Sequence, residues 1–543
     1  MSDRRRRVGG WGFEGERYPL PPDLLQWLQH RLGPCDGRVA DTPPDVRLPG
    51  PRALPAFPLE IGREPHDRLA HARGQGLPDL LRFRTGTVTS APDGVVRPTD
   101  DAQVEAILRA CAAAGVRAIP FGGGTSVTGG VNSVAGDTPV VALDLERLDG
   151  LGDVDGESGL ATFGAGIRGP ALEAALARYG LTLGHFPQSW ELSTLGGWIV
   201  TRSSGQESLG YGSIDALVAG LTLVAPAGRL ELGARPASAA GPDLRHLVAG
   251  SEGRLGIVTR ATVRVRRRPP VLVVTGTVLP SWRAGLSAAR DVVQEGVPLT
   301  LLRLSDECET TVGMALGLAR RGIVGTLVRR WLAARGAWEG GCLMLLGAAG
   351  DPSTVRRTLG DARAILRSHG GVGLGRTPGR RWLSDRFRHP YLRDALLDAG
   401  VATDTLETAA PWARLERVRE AVGTALTSTL VHEDEQVVVL AHVSHPYRDG
   451  ASLYFTLFFR CPPDPAQAIA RWATLKRAAT EAIVAAGATL SHHHGVGSWH
   501  APWLEREIGP AGAALLGDAA RRLDPTGILN PHVLLDPTDR LES

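Results

Sequence analysis

The 543-residue chain sets 60 Lys and Arg against 57 Asp and Glu, a net charge of +3. Its length exceeds one ordinary core and points to two or three domains. Its charge argues against a broad nucleic-acid-binding surface. The sole lysine is Lys476, so there is no Gly-Lys-Ser/Thr phosphate loop. Schiff-base chemistry is disfavoured too, because RWATLKRAATEAI reads as an exposed amphipathic helix.

The five cysteines, Cys35, Cys111, Cys308, Cys342 and Cys461, are widely spaced and form no CxxC. That usage suits a reduced, cytoplasmic chain with neither disulfide framework nor zinc ribbon. No apolar h-region stands near the N-terminus, and no apolar run approaches the ~20 residues of a bilayer span. The expectation is a soluble protein, at most peripheral to a membrane.

Residues 1–64 read as a Pro- and Arg-rich extension. Its Arg4–Arg7 run is expected to be solvated and mobile. One helix is predicted at DLLQWLQHRLG, where Leu24, Leu25, Leu28 and Leu32 recur at helical spacing. From 65 to 270 short strands and helices alternate. GVVRP is a strand, and DDAQVEAILRACAAAG is a helix with an acidic start and a glycine stop. VRAIPF and VVALDL are strands, ALVAGLTLVAPAGRLEL is strand, turn and strand, and GIVTRATVRVRRRP alternates with period two. A second α+β unit, 271–465, opens on the strand VLVVTGTVL. It continues with helices at SWRAGLSAARDVVQEG and STVRRTLGDARAILRSHG and strands at GCLMLLGA, VVVLAHVS and SLYFTLFFR. Residues 466–543 begin with a helix and run into ATLSHHHGVG.

PFGGGTSVTGG, residues 120–130, follows a strand. Gly122, Gly123 and Gly124 let the backbone approach a ligand closely, and Ser126 and Thr128 add hydroxyls; such a nest suits a pyrophosphate. Alone, the loop could equally be a turn. Two more segments of small and polar residues follow, at 187–218 and 249–259, and three together can wrap an extended dinucleotide.

Order and wording of these segments resemble the vanillyl-alcohol-oxidase/PCMH-type flavoproteins. More narrowly, they resemble the alkyldihydroxyacetonephosphate synthase (alkylglycerone-phosphate synthase) family. RYPLP, DTLETAAPW at 404–412 and a His-His-His-Gly-Val-Gly run also match that family's phrasing. The resemblance implies an α+β fold: a two-subdomain FAD-binding domain over 65–270 and an α+β cap with an antiparallel sheet over 271–465. The C-terminal segment 466–543 would return to the flavin. It further implies FAD contacts from Pro120, Gly122, Gly123, Gly124, Thr125, Ser126, Val127 and Thr128. The second segment would supply Gln188, Ser189, Ser193, Thr194, Gly196 and Gly197, and the third Thr201, Arg202, Ser203 and Ser204. Glu252, Gly253, Leu255, Gly256, Ile257 and Val258 complete the set. No histidine stands in the pyrophosphate loop, so the FAD is expected to be non-covalent.

SHHHGVGSWH, residues 491–500, holds the densest chemistry. In an extended chain His492 and His494 would share one face and His493 the other, so the three would not line one metal site, and no HExxH or second Cys/His cluster exists. No metal is expected. Histidine titrates near neutrality and suits proton transfer. The resemblance places His492, His493 and His494 in an active site with Tyr454, Arg303 and Arg393. On residue pattern alone, Tyr454 could be a core tyrosine, Arg303 demands a partner among its apolar neighbours, and Arg393 could be a surface ion-pair member. Two departures stand out: Ser498 occupies the position of a family lysine, and MSDRRRRVGGWGF lacks the family's eukaryotic peroxisomal signal, which suggests a bacterial form.

The implied reaction exchanges the acyl chain of acyl-dihydroxyacetone phosphate for a fatty alcohol, with no net redox change. The implied context is a homodimer with peripheral membrane contact. The alternatives are an FAD-dependent oxidase or dehydrogenase of a 2-hydroxy acid, alcohol or specialised metabolite, and a silent flavin-bearing scaffold.

Overall fold

The computed structural model describes residues 5–35, 46–319, 322–536, 538 and 540–541, with side chains for all but 315–324 of these. In the first unit a parallel three-stranded sheet places Val140–Asp144 between Gly94–Val96 and Arg117–Phe121. Parallel neighbours need a crossover, and helix Asp101–Ala114 supplies it. The Asp100 carboxylate accepts from the Gln103 N–H at 2.8 Å and Gly115 ends the helix in a left-handed conformation, while Val104, Ile107, Leu108 and Cys111 face the sheet's core. Beside it lies an antiparallel sheet in the order Leu151–Asp155, Leu160–Gly164, Ile257–Arg264, Val218–Ala225, Gly228–Leu232.

The second unit is built on seven antiparallel strands. Their order is Val372–Gly375, Val271–Leu279, Cys342–Gly350, Leu301–Ser305, Val437–Pro446, Gly450–Arg460, Val401–Pro411. One face, carrying Leu304, Leu406, Leu453 and Phe455, packs against helices Trp282–Gln294, Pro352–Ser368, Leu415–Thr429 and Pro465–Ala485. The other face looks onto the first unit. The C-terminal segment crosses back: the Ala118 N–H donates to Ile528 O, the Asn530 N–H donates to Ala118 O, and Leu529 is buried in the first unit's core. Among the described residues no helix is long and apolar enough to cross a membrane.

Two expectations fail here. Lys476 does lie on a helix, but it is only 3 % exposed and its Nζ donates to Asp404 Oδ2 at 3.3 Å and to Thr405 O at 3.1 Å. It occupies the apolar stripe itself, one turn after Trp472 and followed by Ala479 and Ile483, so burial follows once both sides of the helix are covered. Nor is the basic run loose. Arg4 lies outside the described residues, but Arg6 and Arg7 belong to a tight turn, with Arg6 bridged to Phe13. Arg7 pairs with Asp394 at 2.9 Å, and the Trp11 N–H donates to the same carboxylate at 2.9 Å. Helix Pro22–Leu32 then lays Leu28 and Leu32 against Val401, Val438 and Phe458 of the large sheet.

Candidate active site

Between the units lies a cavity of about 1170 Å³, larger than the ~300–1,000 Å³ of a pocket for one small ligand. Its first-unit wall is formed by Pro120, Gly122–Val127, Gln188, Ser189, Ser193, Thr194, Gly196, Gly197, Thr201, Ser203, Ser204, Glu252, Gly253, Gly256, Ile257 and Val258. Three residues expected at the cofactor stand elsewhere. Thr128 lies behind its loop, where its carbonyl accepts from the Ser498 and Trp499 N–H groups. Leu255 is in the hydrophobic core. Arg202 turns away to pair with Asp215 at 3.0 Å.

None of the backbone N–H groups of residues 122–127 donates to an acceptor among the described residues. Gly123 and Gly124 are buried and the rest half-buried; backbone donors in such a setting are seldom left without an acceptor, so this row is a ready anion cradle. Its glycines are sterically required: a Cβ at Gly123 would stand 2.0 Å from Leu192 O, and one at Gly122 would stand 2.4 Å from Thr194 Oγ1. The donor set fits the diphosphate of FAD, and the adjoining segments give room for the rest of the dinucleotide.

Strand register builds the opposite wall. Residues directly across an antiparallel pair share a face. Tyr454 stands across from Glu407 on one side and His442 on the other, and His442 stands across from Ser305. Arg303, Ser305, His442, Tyr454 and Thr405 therefore present one side of the sheet to the cavity. Tyr454 stacks on His442 at 4.9 Å and meets His494 edge-on at 5.7 Å. Burial pushes its phenol up to about 12, so it is protonated at neutral pH. Arg303 donates to Glu309 Oε1 at 2.6 Å and lies 3.1 Å from His442 Nδ1. Arg393 is half-buried in the wall: it donates to Gln75 O and, at 3.2 Å, to Gln75 Oε1, while its buried Nε finds no partner among the described residues.

The histidine run is not extended. It bends around Glu407, whose Oε1 accepts from the backbone N–H groups of His493 and His494 while Oε2 contacts His493 Nδ1. His493 and His494 line the cavity, whereas His492 is packed away from it: its Nε2 lies 2.6 Å from Tyr447 Oη and its Nδ1 2.8 Å from His493 Nδ1. All three rings thus crowd one carboxylate, which a strand geometry would forbid. Burial of Glu407 would raise its carboxyl, but His493 and His494 overcome this and hold it well below the usual range. Burial lowers His492 and His494 to about 4, leaving both neutral at pH 7. Two donor sets here, His445–His492–His493 and Glu407–His493–His494, are close enough to hold a metal ion, so the bend removes the geometric objection raised from the sequence.

The following Gly-Val-Gly step belongs to a second carboxylate. Glu252 accepts from the Val496 N–H at 2.6 Å and the Gly497 N–H at 2.8 Å, and burial raises its carboxyl to about 7 against those two bonds. Ser498 rests on the pyrophosphate-type loop, its Oγ donating to Gly129 O at 3.3 Å. Sequence reasoning missed Glu407, Glu309, His442, His445 and Tyr447. The available signal was weak: an acid inside DTLETAAP and two histidines inside the apolar strand VVVLAHVSHP.

Comparison with known proteins follows the same lines. A family model described as an FAD binding domain matches residues 92–232, and one described as the C-terminal domain of FAD linked oxidases matches 268–534. The alkyldihydroxyacetonephosphate synthase of Dictyostelium discoideum is 32% identical over 499 residues, covering 91% of this chain and 81% of that protein. A solved alkyldihydroxyacetonephosphate synthase structure superposes with TM-score 0.83 at 27% identity, covering 97% of this chain and 98% of that one. p-Cresol methylhydroxylase, at 13% identity and TM-score 0.64 over 88% of this chain and 94% of that one, shares the fold alone.

Proposed function

The chain belongs to the alkyldihydroxyacetonephosphate synthase family of FAD-dependent enzymes, and from that premise we propose the work of its individual residues. The reaction replaces the acyl chain of acyl-dihydroxyacetone phosphate with a fatty alcohol. The alcohol gives up its hydroxyl proton and the acyl group leaves as a carboxylate, so electrons balance without an external oxidant. The observation that carries this assignment is the continuity of the cavity. It runs from the unpaired N–H row of residues 122–127, past Tyr454, His493 and His494, to an apolar arm lined by Met314, Val328, Trp331, Leu343 and Leu345. Such an arm suits an alkyl chain, which an oxidase of a small 2-hydroxy acid does not need.

Bound in this cavity, FAD supplies the reactive ring for the exchange. Tyr454, a neutral phenol at pH 7, donates a hydrogen bond to the departing carboxylate and steadies its developing charge without giving up the proton. His494 is uncharged and free to accept the proton of the alcohol. Glu407 fixes both histidine backbones and orients the His493 ring through Nδ1, leaving Nε2 for the cavity. Arg393, with an unsatisfied buried Nε, binds the substrate phosphate. Arg303 is held by Glu309 and steadies His442 under the Tyr454 ring. The mouth of the apolar arm carries Leu327 at 58 % and Trp331 at 39 % exposure on helix Gly322–Ala333. These side chains support peripheral contact with a lipid surface, and the family likeness suggests a homodimer.

The test is product mass spectrometry. Flavin-loaded protein is incubated with palmitoyl-dihydroxyacetone phosphate and isotope-labelled hexadecanol. Labelled ether product and free palmitate are expected, and Tyr454→Phe should keep its flavin while losing roughly 10²-fold or more in turnover. Reduction of the flavin by a 2-hydroxy acid, with no ether formed, would move the chain to the oxidoreductase reading.

A further inference from the structure

The arginine turn at the N-terminus sits directly behind the glycine loop. Arg6 Nη2 donates to Gly124 O at 2.8 Å, and Nη1 stands 2.2 Å from the position a Gly124 Cβ would take. Its guanidinium lies 5.7 Å from the Phe121 ring centroid. Arg6 makes no ion pair with any described residue: Asp144, the acid whose field it feels, is engaged by His71 at 3.0 Å and Arg97 at 3.2 Å. Arg6 is half-buried, and a partly desolvated guanidinium without a carboxylate is left short of counter-charge, so its charge favours an anion close by.

Peptide geometry says where that anion lies. In a trans peptide the C=O and the following N–H point in opposite directions. Tying Gly124 O to Arg6 behind the loop therefore turns the Thr125 N–H toward the cavity that Thr125 lines. That N–H has no acceptor among the described residues. Polarisation by Arg6 also makes it a stronger donor. The turn bearing Arg6 is itself anchored, through Arg7 and Trp11 to Asp394 and through Gly9 O, which accepts from Arg84 Nε at 2.9 Å.

We propose that Arg6 is a cofactor-positioning residue: through the Gly124–Thr125 peptide it fixes and charges the donor row that receives the diphosphate of FAD. The N-terminal turn is thereby part of the dinucleotide site. This rests on the FAD reading of the cavity.

The experiment compares wild type, Arg6→Met and Arg6→Lys after flavin removal. FAD affinity is read by flavin fluorescence quenching at two or more salt concentrations, alongside the melting temperature of each apoprotein. Arg6→Met should bind FAD about 10-fold more weakly and show a flatter dependence on salt. Arg6→Lys, which keeps the charge, should recover part of the loss. Apoprotein melting should stay near wild type in both. An Arg6→Met affinity within twofold of wild type would overturn the proposal. So would weakening that tracks an equal loss of apoprotein stability in both variants, which would make Arg6 only a structural brace. Wild-type protein that takes up no FAD would instead sink the underlying cofactor reading.

Discussion

Gly497→Ala should loosen the flavin although residue 497 is not a cofactor contact. A Cβ there would stand 1.9 Å from Thr128 O and 2.6 Å from both Thr128 C and Oγ1, and the backbone sits at φ +59°. A left-handed conformation costs a side-chain-bearing residue about 1–2 kcal/mol, and forcing a methyl against backbone costs about 1–3 kcal/mol more. The total is roughly 2–5 kcal/mol. Thr128 cannot move alone, since its carbonyl holds the Ser498 and Trp499 N–H groups and its chain continues into the donor row. Relaxation therefore displaces the cradle. Melting temperature should fall by roughly 1–2 °C per kcal/mol for a chain of 543 residues, and FAD affinity by about 10-fold or more. Scanning fluorimetry with and without FAD, plus a flavin titration, measures both. Val496→Ala is the control: it keeps the N–H donated to Glu252 and should leave FAD affinity nearly unchanged. Normal melting and normal FAD affinity in Gly497→Ala, with turnover alone reduced, would refute the mechanical link between the histidine segment and the loop.

Glu252 predicts a pH dependence. Its carboxyl is raised from an ordinary value near 4.5 to about 7 by burial, so folding disfavours its charged form. Relative to Glu252→Gln, wild type should be most stable below about pH 4.5, lose on the order of 3 kcal/mol as pH rises to about 7, and stay level above that. Urea melts across pH check it, and a difference that is flat or grows with pH contradicts it. Lys476→Met should destabilise by about 3–5 kcal/mol because Asp404 is left buried without its counter-charge. Adding Asp404→Asn should restore part of that, as read by denaturant midpoints.

Local features were legible in the sequence; pairings between distant segments were not. Strand VLVVTGTVL coincides with Val271–Leu279, and helix 101–114 shows its start at Asp100 and its stop at Gly115, because caps and periodicity are encoded within a few residues. The glycine loop was legible for the same reason. Glu407 was not, because its importance arises from register: it faces Tyr454 across one strand pair and meets the histidines some 86 residues further on. Lys476 misled because one charged side chain on an otherwise apolar stripe looks like an edge until a buried acid answers it. Arg6 misled because a basic run beside glycines looks solvated until the turn folds it onto a distant loop.

The bend in SHHHGVG follows from the same kind of distant pairing. In an extended chain neighbouring N–H groups point to opposite sides, so one carboxylate cannot collect two in succession. Here Glu407 collects those of residues 493 and 494, and Glu252 those of 496 and 497. Gly495 and Gly497, both in left-handed conformation, let the chain turn between the two acids. The two acids come from different units, Glu252 beside the first unit's sheet and Glu407 on the large sheet, so the segment pins the seam at the cavity. Identical backbone donors leave the two acids in opposite states. Glu407 also has three imidazoles around it and stays ionised, while Glu252 has none within bonding reach and is raised toward neutrality. The charge that the chemistry needs is therefore set beside the histidines by the rings, and the seam itself is held by an acid that burial renders nearly neutral.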